Sequence, residues 1–290
     1  MGKIKYFIKE FIPPIFIRFL KGKKTYKYGW IGCFFNIRKY GYIGFYNSWK
    51  DAKNKSSGYG TANIIEKVKK VTIDVIDGDL YELDNILYDG MFNYPYNWQI
   101  LSTFLLISQN NNNSLNILDF GGSLGTTFLQ HRRYITHLNS VKYSIVEQEN
   151  FVKTGKKIFN DKDIYFYSSI DLCIQEQNPQ CILFSGVLQY LESPYEILNN
   201  VINSDFQYII IDRTPFFVSS KIAEKISIQR IEEDIYGASF PHRIFNYNNF
   251  LNIFKDDYTI LAESLSIDVK EKALGIPIHK RFILLKRNFS

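Results

Sequence analysis

The stretch "NILDFGGSLG", Asn116 to Gly125, runs an apolar segment into an acid, Asp119, and then sets Gly121, Gly122, Ser123 and Gly125 close behind it. The apolar run reads as a buried strand, and glycines directly after a strand let backbone approach a ligand that side chains would hold off. From Thr126 onward the pattern is helical, and the first N–H groups of a helix lack partners of their own and suit an anionic group. Glu147 stands 22 positions beyond Gly125, at the end of the next strand candidate. A carboxylate there can accept both hydroxyls of a ribose. Glycine turn and acid together point to a nucleoside-containing ligand.

Spacing narrows the class. A dinucleotide fingerprint needs G-x-G-x-x-G, and neither Gly121 nor Gly122 has a glycine two positions on. The pattern D-x-G-x-S-x-G, through Asp119, Gly121, Ser123 and Gly125, instead resembles motif I of class I S-adenosylmethionine-dependent methyltransferases, with serine at the usual middle glycine. The ordered set "SWKDA", "SGYG", "LDFGGSLG", "VEQ", "SGVLQYLESP", "IIDRTP" and "SFPHRIF" is similar to a bacterial methyltransferase family often found among surface-polysaccharide genes, and it covers nearly all of the chain after residue 27.

The resemblance implies S-adenosyl-L-methionine as cofactor and a small-molecule or glycan acceptor. It implies that backbone around Gly121, Gly122, Ser123 and Gly125 holds the aminocarboxypropyl end. Asp119 would bind near the amino group through water, and Glu147 would hold the ribose. Ser168 and Ser169 are candidates for the adenine side, or for an ordinary solvated turn, and Ser185, Gly186 and Gln189 would face the transferable methyl. Methyl transfer from a sulfonium is a one-step displacement, so alignment and exclusion of water supply much of the catalysis. A hydroxyl acceptor also profits from a positioned base, for which His242, Asp212 and Tyr190 are candidates. Arg213 and Arg243 suit either an acceptor anion or a neighbouring acid. A nicotinamide-dependent dehydrogenase or epimerase would share the sheet, but the chain's one Y-x-x-x-K pair, Tyr46 with Lys50, precedes the glycine loop. A non-catalytic cofactor-binding protein is the other alternative.

These residues need a frame. After the Asn run 110–113 the pattern alternates: "LNILDF" strand, "FLQHRRYI" helix, "VKYSIVE" strand, "ENFVKTGKKIF" helix, then "DIYFY", "QCILFS" and "YIIID" as further strands. Such alternation predicts an α/β fold with a doubly wound, Rossmann-like sheet, mostly parallel. Ser193, Pro194 and Glu196 mark a helix start. "YTILAESLSI" and "RFILLKR" read as a late pair that closes the sheet with an antiparallel strand. The expected organisation is a basic amphipathic arm over 1–27, an aromatic-rich cap with helical additions over 28–113, and the cofactor-binding domain over 114–290.

Charge separates the arm from the rest. Eight basic residues against Glu10 alone give residues 1–27 a net charge of +7, and since the whole chain carries +6, the remainder sums to −1. The body therefore lacks the positive surface that nucleic acid requires, and no such partner is expected. The apolar run from Phe11 to Leu20 contains Pro13, Pro14 and Arg18 and is too short to span a bilayer. Its chemistry suits a helix packed on its own domain, or a segment lying at an anionic lipid surface. Cys33, Cys173 and Cys181 form no CxxC pair, which predicts a reducing, cytoplasmic setting and no thiolate zinc site, and His131, His137 and His279 have no company that would hold a metal.

Overall fold

The computed structural model describes residues 41–58, 62–78, 80–84, 86–89, 96–159, 164–231, 237–267 and 277–287. The basic arm, Cys33 and the Tyr59 of "SGYG" lie outside them.

The strands predicted from apolar runs are β4 (Ser114–Phe120), β5 (Ser140–Val146), β6 (Ile164–Tyr167), β7 (Cys181–Ser185) and β8 (Tyr208–Phe217), and the closing pair is β11 (Tyr258–Leu265) and β12 (Ile278–Lys286). Their order across the sheet is β6-β5-β4-β7-β8-β12-β11. Neighbours from β6 to β8 are parallel, while β12 is antiparallel to both β8 and β11. This is the doubly wound class I methyltransferase arrangement with its late antiparallel strand. The winding direction reverses between β4 and β7, and in open α/β sheets ligands bind beyond the carboxyl ends of the strands at that reversal.

Continuous apolar runs form the inner strands β7 and β8 because both faces are covered, whereas the edge strand β11 is mostly exposed. Along β7, Cys181 and Leu183 join one hydrophobic cluster, and Ile182 and Phe184 join the other. The first cluster is roofed by α2 (Ala62–Asp77), α3 (Trp98–Gln109), α4 (Thr126–Ile135) and α5 (Glu149–Phe159), and the second by α6 (Ile170–Gln177), α7 (Pro194–Asn203) and α8 (Tyr247–Asn252). Ile100, Leu101, Phe104 and Ile107 of α3 share the first cluster with Ile117, Tyr143 and Leu183, so chain before and after residue 113 builds one core. Pro194 opens α7 as its type predicts, although the Ser193 hydroxyl makes no capping bond.

Sequence pattern does not announce the ribbon on top of this frame. β8 continues past "YIIID" to Phe217, and β10 (Ser239–Asn246) pairs in parallel with its far end. β9 (Lys225–Arg230) lies antiparallel to β10, and β1 (Gly41–Tyr46) antiparallel to β9. "FPHRIF" is thus part of a strand. Its neighbour β9 pairs in turn with β1, a strand some 180 residues earlier in sequence, and no local pattern records that pairing. A separate hairpin, β2 (Leu80–Leu83) and β3 (Ile86–Asp89), adjoins α4.

Candidate functional site

At the end of β4, Gly121 adopts φ 72° and donates its N–H to the Val146 carbonyl at 2.9 Å, carrying the β4–β5 ladder one residue beyond the strand. A Cβ at Gly121 would collide with the Val187 side chain in the turn after β7. At Gly122 it would come within 2.6 Å of the Asp119 carboxylate. The loop therefore lies hard against its own neighbours on both sides, and this is the physical reason for adjacent glycines. α4 begins at Thr126 behind Gly125, with no side chain capping it.

Glu147 closes the other side. Its carboxylate accepts the backbone N–H of Gln148 at 2.7 Å. Burial raises its pKa, and the backbone amides of Gln148 and of Ser123 in the glycine loop pull it back. Asp119 is 1% exposed; one carboxylate oxygen accepts the Tyr143 hydroxyl at 2.8 Å and the other has no hydrogen-bond partner. Burial pushes its pKa up to about 7; the Tyr143 bond lowers it and the charge of Glu147 raises it. A buried carboxyl with an open oxygen beside a second acid is a site in want of a cationic or hydrogen-donating group.

Across the reversal point, Ser185 ends β7 in register with Asp212 of β8, and the Gly186 N–H (φ 68°) donates to the Asp212 carbonyl at 3.0 Å. Gln189, in the short 3-10 helix Leu188–Tyr190, donates to the Arg213 carbonyl at 3.2 Å, and its side-chain oxygen lacks a partner. Asp119, Gly121, Gly122, Ser123, Gly125, Glu147, Ser185, Gly186 and Gln189 thus stand along one carboxyl edge. On the adenine side, Ser169 spends its hydroxyl on capping α6, accepting the Leu172 N–H at 3.3 Å, whereas Ser168 is exposed.

Two of the three candidate bases meet. The His242 ring lies 5.4 Å from that of Tyr190 and 4.6 Å from that of Tyr42 on β1. His242 is 1% exposed, its Nδ1 makes no hydrogen bond, and burial reinforced by His279 holds its pKa well below the ordinary histidine value. Tyr190 donates its hydroxyl to Gln229 of β9. Asp212 stands apart from them. It is wholly buried, accepts from Asn97 at 2.9 Å and pairs with Arg281 of β12 at 2.9 Å. A carboxylate so engaged anchors the end of the first half of β8.

Sequence reasoning passed over Asn97 and Arg281 and weighed His131 only as a metal ligand. Arg281 is 1% exposed, and His131, whose Nδ1 meets the Tyr96 hydroxyl at 2.6 Å, has its pKa pushed down to about 3 by burial and by Arg281. Only burial distinguishes these residues, and single residue types do not reveal it. Tyr46 and Lys50 sit on β1 and on α1 (Trp49–Asn54), in and beside the outer ribbon, away from the glycine loop. Among the described residues no three His, Cys, Asp or Glu side chains gather as metal ligands, and no helix is long and apolar enough to cross a membrane.

The chain matches no protein-family profile and no curated protein. Among solved structures it is similar to the N-terminal domain of EvdMO1 with SAH bound, at 14% identity over 77% of this chain and 95% of that one, with a TM-score of 0.47. It is also similar to a magnesium protoporphyrin IX methyltransferase from Synechocystis PCC 6803 with bound SAH, at 10% identity over 78% and 95%, TM-score 0.45. A third is an S-adenosylmethionine-dependent methyltransferase from Clostridium acetobutylicum, at 10% identity over 65% and 92%, TM-score 0.41. The fold class rests on the strand order and not on these likenesses.

Proposed function

We propose that this chain is an S-adenosylmethionine-dependent methyltransferase that methylates a hydroxyl of a sugar or other small acceptor, in surface-polysaccharide synthesis. The observation that carries the reading is the Gly121 N–H bond to the Val146 carbonyl, which holds the glycine loop against the end of β5 where the next residue is Glu147, a ribose-binding type of acid, beside the reversal point of the sheet. The residues present suit the cofactor. The open oxygen of Asp119 matches a cationic amino group reached through water, the uncapped start of α4 matches a carboxylate, and Glu147 matches ribose hydroxyls.

When bound, the cofactor supplies an electrophilic methyl on a sulfonium. The chain's own part is to hold the acceptor in line and to keep water out, which Gly186, Gln189 and the overlying β9–β10 ribbon are placed to do. His242 is the candidate to take the hydroxyl proton. Burial keeps its imidazole neutral and its Nδ1 is unengaged, so it can accept a proton, at the expense of basicity. Asp212, bound to Arg281 and Asn97, is assigned a positioning role instead.

The test is transfer of labelled methyl to nucleotide sugars and oligosaccharide fractions, with tRNA and total protein as competing acceptors. His242→Ala is expected to lower turnover by about 10²–10⁴-fold while cofactor affinity stays within about twofold. Label confined to tRNA or protein would overturn the acceptor class, and wild-type turnover in the folded variant would remove His242 from the mechanism.

A further inference from the structure

Between Ile211 and Thr214, β8 carries one residue more than β12 does between Phe282 and Lys280, a bulge at the point where β8 passes the end of β7. Arg213 sits in this bulge at φ 55°, a left-handed conformation that a non-glycine residue holds only when its surroundings impose it. They do so from both sides. Asp212 is fixed by Arg281 and Asn97, and the Arg213 carbonyl is held by Gln189. The effect is to turn the arginine over Gly186, with its Cβ and Nη1 3.7 and 3.8 Å from where a Gly186 Cβ would stand. A side chain at residue 186 would stand against this guanidinium, and residue 186 is where the acceptor should meet the methyl.

The guanidinium pairs there with Asp84, at 2.5 Å, in the turn of the β2–β3 hairpin. The two partners are unequally held. The arginine side chain is 18% exposed and set by a strained backbone, whereas the aspartate side chain is 51% exposed. Exposed pairs of this kind are weak, and a guanidinium forks equally well onto any carboxylate or phosphate. We propose that the acceptor carries an oxyanion, a carboxylate or a phosphate, and that Arg213 binds it by exchanging Asp84 for it. This rests on the methyl-transfer reading of the β7 edge, and it deepens that reading from a small hydroxyl acceptor to an anionic one.

The exchange makes Asp84 an internal competitor, which a purely structural latch would not be. Binding of glucose 1-phosphate, glucuronate and neutral glucose to the full chain can be measured by isothermal titration at constant ionic strength, beside titration with S-adenosylmethionine. The wild type is expected to bind one or both anions and to discriminate against glucose. Asp84→Asn should tighten the anions by about two- to fivefold. Arg213→Gln should weaken them at least about tenfold, and Arg213→Lys by an intermediate factor because an ammonium cannot fork. Preference for phosphate over carboxylate, or the reverse, tells the two sources apart. Equal affinity for charged and neutral sugars, or anion affinity unchanged in Asp84→Asn, overturns the proposal. Loss of S-adenosylmethionine binding in the wild type defeats the methyltransferase reading instead, and the anion results still decide the role of Arg213.

Discussion

At the scale of single residues, Asp119 is the most informative group. The folded chain keeps its pKa near 7 by burial, against 3.8 for an ordinary aspartate, so over that interval the folded state binds more protons than the unfolded state. Stability without ligand therefore falls as pH rises from about 4 to about 7, with a contribution of up to about 1.4 kcal/mol per pH unit. Asp119→Asn should remove that component, so the stability difference between variant and wild type in denaturant titrations should grow in the variant's favour from pH 5 to pH 7. Parallel pH profiles would show that the carboxyl is ionised in the folded chain. Glycine, acid and spacing made Asp119, Glu147 and the loop legible in the sequence. Asn97, His131 and Arg281 were not, because an arginine or histidine gains its meaning here from being almost wholly buried, which tertiary packing alone decides.

At the scale of elements, apolar runs bounded by polar turns located β4 to β8, because strands buried on both faces are largely apolar, and helical patterns located α4, α5 and α7 between them but not α6. β9 and β10 escaped: "KISIQR" and "SFPHRIF" mix charges and a proline into short segments, and they become strands by pairing with each other, with β1 and with the end of β8. Helix packing is also testable. A Cβ at Gly155 of α5 would enter the Phe166 ring of β6, so the helix lies flush on the strand. Gly155→Val should lower the unfolding midpoint by roughly 2–10 °C, the cost of an overpacked contact. Phe166→Leu in the same chain should return part of the loss. An unchanged midpoint in the single variant would show that α5 stands off the sheet.

At the scale of the whole molecule, one ten-stranded sheet with helices on both faces organises every candidate group, and it does so along its carboxyl edge. The glycine loop and Glu147 line one side of the reversal point, Gly186 and Gln189 the other, and the β1–β9–β10 ribbon brings Tyr42, Tyr190 and His242 together above them. The division of labour follows from this layout. On the proposed reading, the inner strands would hold the nucleoside-containing cofactor, and the ribbon with the β2–β3 hairpin would meet the acceptor.

Isothermal titration of the full chain with S-adenosylmethionine and, separately, NAD tests this layout at its centre. S-Adenosylmethionine is expected to bind and NAD not to. Glu147→Ala is expected to weaken S-adenosylmethionine by at least about tenfold, since a hydrogen bond to a charged group is worth about 1.5–3 kcal/mol. Absence of S-adenosylmethionine binding, tighter binding of NAD, or undiminished affinity in a folded Glu147→Ala chain would contradict the assignment of this edge.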